Sequence, residues 1–162
     1  MKVNNQKELD IAFKATFSQG FFATVTFSTY LVHTPILFQL IEMTESEFAL
    51  GFVIFGIFNV ITNQLTTRFL LPKIGSTNCL ILARLMYSFI PFLIFYTASY
   101  NTFILLSIFW GITIGIQAPN LFTQVAIIEE NTKKILNPIF KSSFGIGFIF
   151  GGSISSIAMG LQ

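Results

Sequence analysis

The chain contains five apolar stretches, each close to the length of about 20 residues that a helix needs to cross the hydrocarbon core of a bilayer. The stretches run from about Ile11 to His33, Phe48 to Thr67, Thr77 to Thr97, Phe103 to Ile128 and Ser142 to Leu161. Short polar segments separate them, and no linker sequence marks a second domain. We therefore expect an all-α, polytopic membrane helix bundle with five transmembrane helices, forming one membrane domain over residues 1–162.

The overall composition agrees with a lipid environment. Hydrophobic residues make up 53% of the 162 residues and charged residues only 10%, whereas soluble domains average roughly 25% charged residues. A soluble domain of this length needs a larger polar surface than these residues can supply. We expect an integral, multi-pass protein of the inner or plasma membrane, with the lipid bilayer as its principal partner.

The positions of lysine and arginine predict the orientation of the chain. Eight of the nine basic residues lie in three segments, which are the amino end with Lys2, Lys7 and Lys14, the second connection with Arg68 and Lys73, and the fourth connection with Lys133, Lys134 and Lys141. All three segments are on one side of a five-span bundle. Because cytoplasmic loops retain positive charge, we expect a cytoplasmic amino terminus.

Several function classes have too few suitable residues. The basic residues are scattered, so they form no charged stripe for nucleic acid. A single cysteine, Cys79, and a single histidine are too few for a disulfide within the chain or for a His/Cys metal site. A catalytic nucleophile needs a base and an orienting group, and the only aspartate, Asp10, lies at the membrane edge. We expect neither an enzyme nor a bound cofactor.

Small residues spaced four apart indicate helix contacts, because they let two backbones approach closely in lipid. Gly111 and Gly115 form such a pair in the fourth stretch, and Gly147 and Gly151 form another in the fifth. We expect these two helices to pack tightly. The alternative is that glycine is simply common in membrane helices.

Polar side chains recur at helical spacing in three of the stretches. The stripes are Thr113, Gln117, Asn120 and Gln124 in the fourth stretch, Gln19, Thr26, Tyr30 and His33 in the first, and Asn59 and Asn63 in the second. Such stripes indicate either a polar cleft or hydrogen bonds that join helices. We expect Gln19, Tyr30, Asn59, Gln117 and Asn120 to line a shared cleft, and we keep interhelical bonding as the alternative.

Arg84 is the one charged residue well inside a predicted span, roughly 10 Å from its cytoplasmic start at about 1.5 Å per residue. A charge at that depth has to snorkel or find a partner. Glu129 and Glu130, at the cytoplasmic end of the fourth stretch, are candidate partners. We expect an ion pair that braces the inner face, with contact to a solute as the alternative.

The order of these features resembles the amino-terminal half of major facilitator superfamily transporters, over nearly the whole chain. The family's loop between spans two and three reads G-x-x-x-D-R-x-G-R-R, and Lys73 and Gly75 fit this pattern. Pro72 replaces the aspartate, and Thr77 and Asn78 replace the closing basic pair. A second likeness, to sugar-permease-like members, rests on a loose fit of Asn120, Glu129, Ser143 and Gly147.

This resemblance implies a secondary transporter in which two six-helix halves enclose a site at the membrane midplane. It implies that spans one, two, four and five line the cavity, and that Lys73 and Gly75 belong to a gating loop. We expect transport of a small polar solute by a truncated half that needs a second half, from self-association or a separate chain. The alternatives are an inactive fragment or a small interaction protein whose glycine faces dock onto another membrane protein.

Overall fold

A computed structural model describes residues 6–97 and 99–160, and this part of the chain is helical with short connections. The helices are α1 Gln6–Val32, α2 Thr34–Ile41, α3 Glu45–Leu65, α4 Leu71–Thr97, α5 Tyr100–Thr132 and α6 Asn137–Gly160, and a π-helical turn, Thr66–Leu70, joins α3 to α4. The all-α prediction is confirmed. Lys2 and the predicted end of the fifth span at Leu161 lie outside the described residues.

Three helical stretches of the described chain are long and apolar enough to cross a membrane. They are the 52 residues Glu45–Tyr96, Tyr100–Thr132 and Asn137–Gly160. The pair of α1 and α2, bent by 53° where they meet, qualifies as a fourth span when both helices are counted together. This count is lower than the predicted five because α3, the π-helical turn and α4 directly follow one another in the chain and form a single stretch, Glu45–Tyr96.

Two irregularities interrupt this long stretch. The π-helical turn Thr66–Leu70 is the first, and such turns locally disturb the regular helical ladder. Gly75 is the second, with φ 77° and ψ 161°, which lie outside the helical region. Glycine tolerates a positive φ because it has no Cβ atom. The direction of the helix axis can therefore change between α3 and the main part of α4.

The chain folds into two compact units. The terminal unit consists of residues 6–33 and 121–160, and the central unit consists of residues 34–97 and 99–120. Helix α5 contributes its first part to the central unit and its last part to the terminal unit.

In the terminal unit, α1 and α6 pack side by side. The facing pairs are Gly20 with Ser143, Phe21 with Gly147, Val25 with Gly151, and Thr29 with Ser155. Residue numbers rise together along both helices, so α1 and α6 run parallel. Small residues on both sides permit this close approach, because no bulky side chain separates the backbones.

In the central unit, α5 packs against both α3 and α4. The facing pairs with α3 are Gly51 with Phe103, Phe55 with Gly111, and Asn59 with Gly115, and those with α4 are Cys79 with Asn120, Ala83 with Ile116, and Tyr87 with Trp110. Helix α3 therefore runs parallel to α5, and α4 runs antiparallel to it. It follows that the chain reverses direction between α3 and α4, in the segment that contains the π-helical turn and Gly75.

Candidate functional site

The residues predicted to form a site fall in both units. Gln19, Tyr30 and Glu129 belong to the terminal unit. Those in the central unit are Asn59, Lys73, Gly75, Arg84, Gln117 and Asn120. The predicted cleft shared between helices draws on both units and stays a prediction.

Among these side chains, Gln117 on α5 has the most buried polar atoms without a hydrogen bond. It is only 2% exposed, and both its Oε1 and Nε2 atoms are buried without a hydrogen-bond partner among the described residues. Burial of an amide without partners carries a substantial free-energy cost. The side chain offers two N–H donors and one acceptor oxygen. This makes Gln117 the strongest candidate for contact with a polar ligand.

Asn120, one turn further along α5, is fully buried, and only one of its two side-chain polar atoms forms a hydrogen bond. Its Nδ2 donates to the carbonyl oxygen of Ile116 at 2.6 Å, and the side chain also hydrogen-bonds with the Cys79 thiol on α4. Its Oδ1 is buried and has no partner within residues 6–97 and 99–160. Asn120 therefore joins α5 to α4 and still presents one free acceptor.

Gln124 lies on the same stripe of α5 but has a different role. Its Oε1 lies 3.1 Å from Oγ1 of Thr16 on α1, and Thr16 also lies 2.8 Å from the carbonyl oxygen of Ala12. This hydrogen bond joins two helices of the terminal unit. Gln124 therefore forms an interhelical hydrogen bond, which was the alternative to a polar cleft. Thr113, also on the stripe, is buried and donates to the carbonyl oxygen of Trp110 at 2.8 Å.

In the polar stripe of α1, the hydrogen bonds of Thr26 and His33 go to backbone carbonyl oxygens of the same helix. Gln19 is half-buried, and its Oε1 has no partner in the described part of the chain. Thr26 donates to the carbonyl oxygen of Phe22 at 2.9 Å, and Nδ1 of His33 lies 2.8 Å from the carbonyl oxygen of Thr29. Tyr30 is 3% exposed. In the central unit, Asn59 on α3 is half-buried.

Arg84 on α4 lies beside an aromatic ring. Its Cζ atom is 5.5 Å from the centroid of the Tyr87 ring, within the range of a cation–π interaction. The Nη1 atom is buried and has no hydrogen-bond partner among the described residues. The guanidinium is therefore only partly compensated within its unit.

Glu129 holds the beginning of α6. Its Oε1 accepts hydrogen bonds from the backbone N–H groups of Leu136 at 2.6 Å and Asn137 at 2.7 Å. Free N–H groups at a helix start need such acceptors. The predicted ion pair between Glu129 and Arg84 joins residues of different units and stays a prediction.

The predicted gating residues lie near the reversal between α3 and α4. Lys73 is exposed. Gly75 is constrained by its positive φ and not by space, because a Cβ atom there would meet nothing within 4 Å. The sequence pattern singles out Gly75, and the positive φ explains why glycine is favoured at this position.

The four glycines predicted to pack lie against helices of the same chain. Gly111 and Gly115 face the backbone of α3, and Gly147 and Gly151 face α1. A Cβ atom on Gly151 would stand 2.6 Å from the carbonyl oxygen of Val25. These four glycines therefore pack against helices of the same chain.

Two features were missed in the sequence. Gly20 packs on Ser143, and its spacing of four to Thr24 and Ser28 could have predicted the partner face on α1. Thr44 and Glu47 form a capping box at the start of α3, with the Thr44 N–H donating to Glu47 Oε2 at 2.7 Å. The T-x-x-E pattern is a known signal for such a cap.

Comparison with known proteins returned no similarity. No protein-family model, no curated protein and no solved structure matches this chain. Within residues 6–97 and 99–160, no group of three or more His, Cys, Asp or Glu side chains is placed to hold a metal ion.

Proposed function

We propose that this chain is part of a membrane transporter of the major facilitator type, which moves a small polar solute, and that Gln117 contacts this solute. The observation that carries the proposal is the buried amide of Gln117, whose Oε1 and Nε2 have no partner among the described residues. Polar groups inside membrane helices are costly and mark substrate pathways. The hydroxyl group of a solute could both donate to Oε1 and accept from Nε2, whereas carboxylate or phosphate oxygens would accept from Nε2.

The direction of the helices supports a bundle of five spans. Helices α1 and α6 run parallel in the terminal unit, and two parallel spans need an odd number of spans between them because each crossing reverses the chain. If Glu45–Tyr96 is one span, two spans lie between α1 and α6, which is an even number. If α3 and α4 are separate spans, three spans lie between α1 and α6, and this odd number agrees with their parallel direction. The 52 residues also extend roughly 78 Å as helix, more than twice the hydrocarbon thickness of about 30 Å.

The orientation and the partner belong to the same proposal. The grouping of lysine and arginine supports a cytoplasmic amino terminus. Transporters of this kind rock two bundles around a central site, so solute movement would require a second bundle, from self-association or from a separate chain. Docking through the glycine faces is not favoured, because α1 and α3 already occupy those faces.

Uptake by proteoliposomes tests this function. The purified chain would be assayed with a panel of sugars, small organic acids and inorganic phosphate, with its oligomeric state measured alongside. We expect saturable uptake that Gln117→Leu abolishes without loss of folding. Gln124→Leu is the matched control in the same helix: it removes a bond to Thr16 worth about 0.6 kcal/mol, and uptake should persist. A folded protein without uptake, or equal uptake by wild type and Gln117→Leu, contradicts the proposal.

A further inference from the structure

Arg84 and Gln117 flank one helix contact in the central unit. Ala83 of α4 and Ile116 of α5 pack in the same apolar cluster, and each of the two polar residues follows one of these in the chain. The antiparallel pairs Cys79 with Asn120 and Tyr87 with Trp110 set this register on both sides. Arg84 and Gln117 are thus at nearly the same level on neighbouring helices, and Asn120 lies one turn further along α5, opposite Cys79.

All three side chains hold buried polar atoms without partners among the described residues. These atoms are Nη1 of Arg84, Oε1 and Nε2 of Gln117, and Oδ1 of Asn120. Arginine remains protonated even when it is buried, so its charge cannot be removed by titration. The ring of Tyr87 stabilises one face of the guanidinium, while the Nη1 atom has no acceptor among the described residues.

No carboxylate of the central unit can reach Arg84. The carboxylates between residues 34 and 120 are Glu42, Glu45 and Glu47. Glu47 lies one helical turn before Gly51, and Gly51 faces Phe103 of α5. Arg84 lies next to Ala83, which packs in one cluster with Ile116 of α5. Measured along α5, the level of Glu47 is therefore about 17 residues of helix from that of Ile116. This corresponds to roughly 25 Å, far beyond the length of an arginine side chain. A carboxylate or other anionic partner for Arg84 would therefore come from outside the central unit.

We infer that Arg84 binds an anionic oxygen group, a carboxylate or a phosphate, on the transported solute, and that Gln117 donates a second hydrogen bond to the same molecule. This inference rests on the proposed function, because it names the solute class of that site. The planar guanidinium matches the paired oxygens of such groups. Arg84 then takes part in binding, rather than in the structural ion pair that the sequence favoured.

Trp110 provides a built-in reporter of binding. It is the only tryptophan in the chain, and its ring lies 6.0 Å from the Tyr87 ring, which in turn lies 5.5 Å from Cζ of Arg84. An anion bound at Arg84 should alter the emission of this single tryptophan, which can be excited selectively. The measurement detects binding without transport, so a failure of uptake alone leaves the binding result interpretable.

The test is a fluorescence titration of the purified chain in detergent at constant ionic strength. The probes are inorganic phosphate, succinate and, as a neutral solute, glucose. We expect a saturable change with at least one anion and none with glucose. Arg84→Gln should weaken binding by about tenfold or more, as expected for a lost charge-assisted hydrogen bond. Arg68→Gln is the matched control, since Arg68 is exposed and lies 5.6 Å from the Phe69 ring.

Other results would overturn the inference. They include a response to glucose but not to the anions, equal affinity in wild type and Arg84→Gln, or a response that requires anionic lipid and ignores soluble anions. Arg84→Lys keeps the charge but loses the paired donor geometry, so it should bind with intermediate affinity. This second variant decides the matter if circular dichroism shows that Arg84→Gln is unfolded, and an unchanged affinity in Arg84→Lys would then count against the inference.

Discussion

Gly115 of α5 lies against the backbone of α3, so close that a Cβ atom at this position would stand 2.7 Å from the carbonyl oxygen of Asn59. Backbone cannot move aside as a flexible side chain can, so this contact depends on the missing side chain of Gly115. The parallel packing of α3 on α5 rests on this contact and on its counterpart at Gly111.

Gly115→Leu should separate α3 from α5. Overpacking of a close contact costs typically about 1–3 kcal/mol, so we expect a lower unfolding temperature in detergent, followed by circular dichroism. Gly56→Leu is the control, because a Cβ atom on Gly56 meets nothing within 4 Å. Equal losses in the two variants would show that Gly115 is not a packing contact.

On α6, two glycines should respond to alanine in opposite directions. A Cβ atom on Gly147 would collide with the carbonyl oxygen of Phe21 and Oγ1 of Thr24, whereas one on Gly152 meets nothing within 4 Å. Alanine is favoured over glycine in helices by about 1 kcal/mol. Gly152→Ala should therefore preserve or raise the thermal stability, and Gly147→Ala should lower it. Stabilisation by Gly147→Ala would contradict the close packing of α1 on α6.

Glu129→Ala should loosen the start of α6. The substitution removes the oxygen that accepts from the N–H groups of Leu136 and Asn137, and loss of a cap typically costs about 1 kcal/mol. Hydrogen–deuterium exchange of the peptide over residues 133–140 should become faster. Glu130→Ala, at the exposed neighbouring position, should leave exchange unchanged, and similar rates in all three proteins would exclude the capping role.

Cysteine labelling should place Ser46 and Asn101 on the same side of the membrane and Lys73 on the other. All three side chains are exposed, and the native Cys79 is buried, so single substitutions to cysteine can be labelled with an impermeant maleimide in oriented vesicles. A chain reversal between α3 and α4 requires this pattern. Labelling of Ser46 and Asn101 from opposite sides would mean that Glu45–Tyr96 crosses only once.

The helices themselves were largely predictable. The predicted span from about Phe103 to Ile128 lies within α5, and the span from Ser142 falls on α6, because the length of an apolar run is a local property. The continuation of helix through Thr66–Leu70 was not predicted. Polar and basic residues there suggested a loop, yet the backbone satisfies its own hydrogen bonds in a π-helical turn.

The candidate site was predictable only as a set of residues. Gln117 and Gln124 are the same residue type on one stripe of α5, and nothing in the local sequence distinguishes them. Thr16, more than a hundred positions away in the chain, bonds to Gln124, while Gln117 has no such partner among the described residues. The same holds for glycine, since Gly147 and Gly152 differ only in what faces them.

The sequence by itself determined the helical class and the approximate limits of most helices, because apolar length and turn chemistry act between near neighbours in the chain. It also determined which positions are small enough for close packing. Only the tertiary structure decided that α1 runs parallel to α6, that the chain reverses between α3 and α4, and which polar side chains are satisfied. These outcomes depend on partners from distant parts of the chain, and residue spacing within one helix contains no information about those partners.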